Sequence, residues 1–190
     1  MIYRKIIRQT NFCIEGDEGM LKEIDCKEIA EYKDAVSLFG EGCVALVENK
    51  EKANPITIAW GGLGVLWGKP MCSIFIHKSR YSKGIADDSP YFSVCCFAKE
   101  YKPIAIDYFG SASGRNEDKI AKSGFTLLHD EGVPYFKEAE LVILCKKMGQ
   151  TDFDKDKISE DKIKKWYEKD GVHTIYFGEI VKVLKKVDSK

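Results

Sequence analysis

The sequence predicts a mainly β protein, an antiparallel barrel or sandwich with helical insertions. Two observations carry this. Six short runs rich in Val, Ile, Leu, Phe and Tyr recur between residues 43 and 184. The helical stretches between them are short and irregularly spaced, and do not alternate with strands as a doubly wound parallel sheet requires. With 190 residues, 44% of them hydrophobic, the chain is expected to form one domain, residues 1–190, around a sizeable core.

In chain order, residues 27–39 suit a short helix. CVALVE (Cys43–Glu48) reads as the first strand and residues 50–54 as a charged turn. Pro55 lacks an N–H and is expected to open the next strand, residues 56–60. Residues 61–70 are glycine-rich but fit no phosphate-binding pattern. The dinucleotide fingerprint fails because Gly62 and Gly64 are followed by Trp67 where a third glycine is needed, and a P-loop fails because Leu63 stands five residues before Gly68. A connection between strands is the expectation there.

Further strands are expected at residues 71–77, 91–97, 141–147 and 174–184. Between them, a turn and a short helix suit residues 79–88. A helix with Pro103 in its first turn suits residues 99–109, and another suits residues 116–122, ending at Gly124. Residues 152–171 form a highly charged insert in which Ile158, Ile163, Trp166 and Tyr167 fall mostly on one side of a helix. Ser159 is placed to cap it and Gly171 to end it, so an amphipathic helix packed on the domain is expected.

Basic and acidic residues both number 30, for a formal net charge of zero. A dedicated nucleic-acid binder would carry a basic excess, so no nucleic-acid partner is expected. No apolar run approaches the length of about 18 residues that marks a membrane span, and residues 1–10 mix Arg4, Lys5 and Arg8 among isoleucines. Neither a membrane segment nor a secretory signal is expected. The seven cysteines are an odd number, contain no C-x-x-C, and lie mostly among apolar neighbours; Cys95 and Cys96 would point to opposite faces of a strand. Reduced core thiols in a cytoplasmic protein are the expectation, and no metal site is called.

Three polar constellations interrupt the apolar pattern. Asn54, Thr57 and Trp60 lie along one short strand, with Asn54 and Trp60 sharing parity. His77-Lys-Ser79-Arg80-Tyr81-Ser82-Lys83 follows a strand with hydroxyls and cations suited to an anion. Gly110-Ser-Ala-Ser113-Gly114-Arg115 leads to Asp118 and Lys119 at a helix start. Each also has a plain structural reading, as a turn amide with a core indole, a solvated turn, or a capped surface helix. Gly110 to Gly114 is not the hydrolase elbow, because Ala112 occupies its centre.

Taken in combination and order, and closed by His173-Thr-Ile-Tyr-Phe-Gly178-Glu179-Ile180, these elements resemble the flavin reductase-like family of FMN-binding split barrels, which includes flavoredoxins. The resemblance runs over residues 43–183, and its most specific part is the Ser113-Gly114-Arg115 and Asp118-Lys119 element. It implies a six-stranded antiparallel Greek-key split barrel, assembled as a homodimer with one FMN per subunit. Asn54, Thr57, Ile58 and Trp60 would border the isoalloxazine ring. Ser79, Arg80 and Ser82 would receive the phosphate, with Tyr81 beside it. Ser113, Gly114, Arg115 and Lys119 would reach the phosphate and the ring edge from a second loop.

His173 would match a histidine near the flavin, the candidate catalytic residue, tuning the ring or facing the nicotinamide. The resemblance further implies a flavin reductase with NADH or NADPH as transient hydride donor to flavin N5. Electrons would then pass to free flavin, a small acceptor or a redox protein. The alternative is a non-enzymatic electron carrier or a redox-sensing flavin module. Two departures stand out: Ser82 occupies a position where family members often carry Thr, and the charged insert has no fixed counterpart in the family.

Overall fold

In the computed structural model, which describes residues 20–169 and 171–187, all six apolar runs form strands. Residues 1–10 and Cys13, on which the signal-peptide reading and one of the thiols rest, lie outside the described residues. The described chain opens with β1 (Met20–Ile24), α1 (Ile29–Tyr32) and α2 (Ala35–Gly40). The single helix expected over residues 27–39 is thus broken. Its second half restarts at Asp34, whose carboxylate accepts the Val36 and Ser37 N–H groups at 3.0 Å each.

There follow β2 (Cys43–Glu48), β3 (Ala53–Ile58), β4 (Gly61–Leu66), β5 (Lys69–His77), α3 (Ser82–Asp88) and β6 (Tyr91–Cys96). After an irregular helical stretch come α4 (Phe109–Ser111), α5 (Lys119–Ser123), β7 (Leu127–Asp130), β8 (Val133–Phe136), β9 (Leu141–Asp152), α6 (Glu160–Trp166) and β10 (His173–Val187). Among the described residues, eight strands form one antiparallel sheet in the order β3-β2-β6-β9-β10-β5-β4, with β1 on the far half of β10, while β7 and β8 make a separate hairpin.

The sheet is buried on both faces, which is why its central strands read as unbroken apolar runs and not as alternating ones. Cys43, Ala45 and Val47 of β2 enter one cluster, and Val44 and Leu46 the other. Cys95 and Cys96 divide between the two clusters in the same way. The sheet curls so that Ile56 and Ile58 of β3 and Ile74 and Ile76 of β5 share the inner cluster, although four strands separate β3 from β5 in the sheet order. The outer cluster is roofed by the segment between β6 and β9, through Phe97, Tyr101, Phe109, Phe125 and Phe136.

Several expectations need correction. Pro55 lies inside β3 and does not open it; β3 pairs only with β2, so a missing N–H is tolerated on the free edge. The glycine-rich stretch is itself a strand, β4, paired in register with β5 from Gly61↔Ile74 to Leu66↔Lys69. Its three glycines hide the strand, and at Gly61 the glycine is required, since a Cβ there would overlap the Phe39 ring from α2.

The helix expected over residues 99–109 is a 3-10 turn (Lys99–Tyr101), a widened π-type stretch (Pro103–Tyr108) and one α turn. Thr57 Oγ lies 2.8 Å from the Ala105 carbonyl and 3.0 Å from that of Ile106, and its single proton serves carbonyls which a regular helix would bond internally. α6 begins after Ser159 as expected but ends at Trp166, and none of its residues is buried. β1 and the β7–β8 hairpin were not expected from the sequence.

Gly178 of β10 lies opposite Cys72 in the inner core. A Cβ there would stand 2.6 Å from Phe92 Cζ and 2.7 Å from Cys145 Cβ. Gly178→Ala is therefore expected to destabilise the fold by about 1–3 kcal/mol, read as a lower urea midpoint with an unchanged slope.

Candidate functional site

A cleft of about 210 Å³ opens where the start of β3, the loop entering α3, and the loop from α4 to α5 converge. Each segment is held there by a local cause. Asn54 is buried, and its Nδ2 donates to Ser82 Oγ at 2.7 Å and to the Pro55 carbonyl at 3.2 Å, tying β3 to α3. Gly114 brings the second loop against this pair. A Cβ at that position would overlap Asn54 Oδ1 and stand 2.7 Å from the Tyr81 ring, so only glycine admits the approach.

Cations complete the clasp. Lys52 Nζ donates to the Gly114 carbonyl at 3.1 Å and lies 5.1 Å from the Tyr81 ring centre. The Arg115 guanidinium sits 5.5 Å from the same ring, and its Nη1 donates to the Ser79 carbonyl at 3.3 Å. Asp118 caps α5 by accepting the Ile120 and Ala121 N–H groups, which fixes the first residue of that helix, Lys119.

Lys119 is 3% exposed, and its Nζ donates to the Phe109 carbonyl at 3.1 Å. Burial, followed by the nearby Arg80 guanidinium, pulls its pKa down from 10.5 to about 8. A buried ammonium with one carbonyl partner, facing a second cation across a cleft lined with serine hydroxyls, is an arrangement that an anion would relieve.

The cleft gathers Asn54, Ser79, Arg80, Tyr81, Ser82, Ser113, Gly114, Arg115 and Lys119 from the expected set. It does not gather the other four. Thr57 faces the opposite side of β3, toward Ala105 and Ile106. Ile58 is buried in the inner core. Trp60 lies beyond the end of β3, so its parity with Asn54 does not bring it to the cleft. It meets His173 instead, with ring centres 4.5 Å apart.

Cleft residues outside the expected set are Ile56, Phe109, Gly110, Ser111 and Ala112. Ile56 was within reach of sequence reasoning, because it lies two residues from Asn54 and so shares its face. Phe109 was not, since it depends on the irregular turn before α4.

His173 belongs to an aromatic wall beside the cleft. His77 packs edge-on to it at 5.0 Å, and the Tyr167 hydroxyl lies 3.0 Å from its Nδ1. Burial, reinforced by His77 and Arg80, lowers the His173 pKa to about 4, so the ring is uncharged at neutral pH. Arg80, which lines the cleft and acts on both His173 and Lys119, links the two regions.

A family model described as "Flavin reductase like domain" matches residues 43–190. No curated protein sequence matches the chain. Among solved structures, the chain is similar to an FMN-binding domain of a flavin reductases-like enzyme from Shewanella baltica, with TM-score 0.65 and 13% identity over 90% of this chain and 80% of that one. A flavoredoxin from Methanosarcina acetivorans gives 0.61 and 23% over 76% and 68%. Flavoredoxin of Desulfovibrio vulgaris gives 0.59 and 25% over 78% and 69%.

The depressed Lys119 pKa fixes the sign of a pH effect. Below about pH 8 the folded protein carries the buried charge at a cost that the unfolded chain does not bear, and the cost fades as pH climbs toward 10.5. Lys119→Met is therefore expected to stabilise the unliganded protein at pH 7, with the difference from wild type shrinking between pH 8 and 10.5. Buried thiols such as Cys95, pushed up to about 12, titrate in both proteins and cancel in that difference. Urea unfolding of the two proteins across this range measures it.

Proposed function

We propose that this chain, which belongs to the flavin reductase-like domain family, binds FMN and works as an NAD(P)H-dependent flavin reductase. The observation that carries the reading is the buried Lys119 ammonium, converging with Arg80 on a cleft of serine hydroxyls. A flavin mononucleotide brings a dianionic phosphate, and the cleft's volume of about 210 Å³ matches the phosphate end better than a whole flavin, whose pockets run to about 300–1,000 Å³. Within this reading Arg80, Lys119, Ser79, Ser82 and Ser113 hold the phosphate. Tyr81 braces the loop, and Gly114 and Arg115 close the second side.

The ring system belongs toward the aromatic wall, where Trp60 and the uncharged His173 offer an uncharged aromatic surface. When bound, FMN supplies two-electron exchange between a reduced nicotinamide and an acceptor. The chain's own part is to anchor the phosphate, orient the ring and keep the surrounding residues uncharged. His173, held by Tyr167, is a positioning and tuning residue in this account and donates no proton at neutral pH. Trp60 and His173 contribute from outside the cleft, whereas Thr57 and Ile58 support the fold behind it.

The same reading includes a homodimer, with free flavin, a small acceptor or a redox protein as electron acceptor. It also includes a reducing cytoplasmic setting, supported by the buried free thiols of Cys43, Cys72, Cys95, Cys96 and Cys145. No helix among the described residues is long and apolar enough to cross a membrane.

Two outcomes are expected. The FMN-loaded protein should show flavin absorption bands that bleach anaerobically on adding NADH or NADPH. Bands that persist with both and bleach only with dithionite would assign the chain to electron carriage. Arg80→Ala and Lys119→Ala should each weaken FMN by about 1.5–3 kcal/mol, the scale of a hydrogen bond to a charged group, as measured by flavin fluorescence titration. Unchanged affinity in both variants would displace the phosphate from this cleft.

A further inference from the structure

The charged insert carries an aromatic group that the phosphate cleft does not use. Trp166, the last residue of α6, stands edge-on to Trp60, with ring centres 5.0 Å apart and planes at 86°. It is 49% exposed, so much of a large apolar ring remains in water. The helix bearing it has no buried residue. Its attachment comes from the next residue: Tyr167 is buried, its hydroxyl reaches His173 Nδ1, and its carbonyl accepts from Lys155 Nζ at 2.9 Å.

The wall that Trp166 caps is continuous. Trp60 meets His173, His173 meets His77, and His77 stacks in parallel with Tyr167 at 6.4 Å. Cations flank it: Arg80 lies on the cleft side, and the Lys165 ammonium stands 5.0 Å from the Trp166 ring centre. An aromatic cluster with a half-exposed indole at one end and cations on its borders is matched to a planar heteroaromatic that carries phosphate.

We propose that Trp166 is a specificity-determining residue that stacks on the planar, phosphate-bearing electron partner where it docks over the flavin ring, beside the Trp60–His173 wall. Nicotinamide dinucleotides and free flavin nucleotides share this chemistry. The inference rests on the flavin reading above for the reason a partner docks there, and it adds that the insert, not the barrel, selects the partner. The exposed ring of Trp166 is offered to the partner, while the bound cofactor is held by Arg80 and Lys119 at its phosphate and by Trp60 and His173 at its ring. Loss of Trp166 therefore separates the two affinities.

The test uses the full chain loaded with FMN and measures equilibrium binding by calorimetry, with oxidised NAD⁺, oxidised NADP⁺ and additional FMN as separate probes. Wild type is expected to bind at least one probe. Trp166→Ala should weaken that probe about five- to tenfold, the scale of an aromatic stack, while the affinity for the resident FMN changes less than twofold. Trp166→Phe should recover most of the loss. Trp166→Leu, which keeps apolar bulk against Trp60 without a flat face, should behave like Ala; recovery by Leu would reduce Trp166 to a tether for α6 and overturn the proposal. So would unchanged probe affinity in Trp166→Ala, or wild type that takes up FMN but binds none of the probes. A wild-type chain that takes up no FMN at all would instead overturn the flavin reading on which the proposal rests.

Discussion

The cleft gathers positive charge around a lysine withdrawn from water. Lys119 is withdrawn from solvent beside Arg80, with a backbone carbonyl as its hydrogen-bond partner, and its pKa falls in consequence. A buried ammonium of this kind opposes folding, first through its lost hydration and then through repulsion from Arg80, and an anion in the cleft would relieve both. The surrounding architecture holds that repulsion in place. The Asp118 cap sets where α5 begins, Asn54 ties β3 to α3, and the missing side chain of Gly114 lets the second loop close on both.

The second region follows from the ends of two long strands. His77 closes β5 and His173 opens β10, and the register pairs them directly. Their rings, with Trp60 beyond the end of β3, form a wall in which His173 stays neutral because burial, reinforced by His77 and Arg80, disfavours its charged form. Cationic cleft and uncharged wall meet at Arg80. A ligand with a charged end and a flat end is complementary to that division, whereas a fully apolar ligand would leave the cleft's repulsion unrelieved.

Much of this was legible in the sequence, for identifiable reasons. The six main strands announce themselves because a sheet covered on both faces needs continuous apolar runs, and CVALVE, YFSVCC and LVILC supply them. The cleft residues were legible because Ser, Arg, Lys and Gly cluster in two short loops. Strand β4 was not, since its glycines, of which Gly61 is required by the close approach of Phe39, erase the strand signal. Trp60 lies off the cleft because β3 ends at Ile58, and Thr57, on the face opposite Asn54, is drawn to carbonyls of an irregular helix that no periodicity foretells. α6 showed an amphipathic pattern, but Trp166 meets Trp60 with half of its ring in water and no residue of the helix is buried, which leaves it outside the core.

The central claim is that the cleft binds the phosphate of a flavin nucleotide. Its most direct test compares FMN with riboflavin, which lacks only that phosphate, by fluorescence titration of the flavin-free protein at low and high salt. The account predicts that FMN binds on the order of 100-fold more tightly, as two charge-assisted contacts imply, and that the gap narrows as salt rises. Equal affinities at low salt would contradict it.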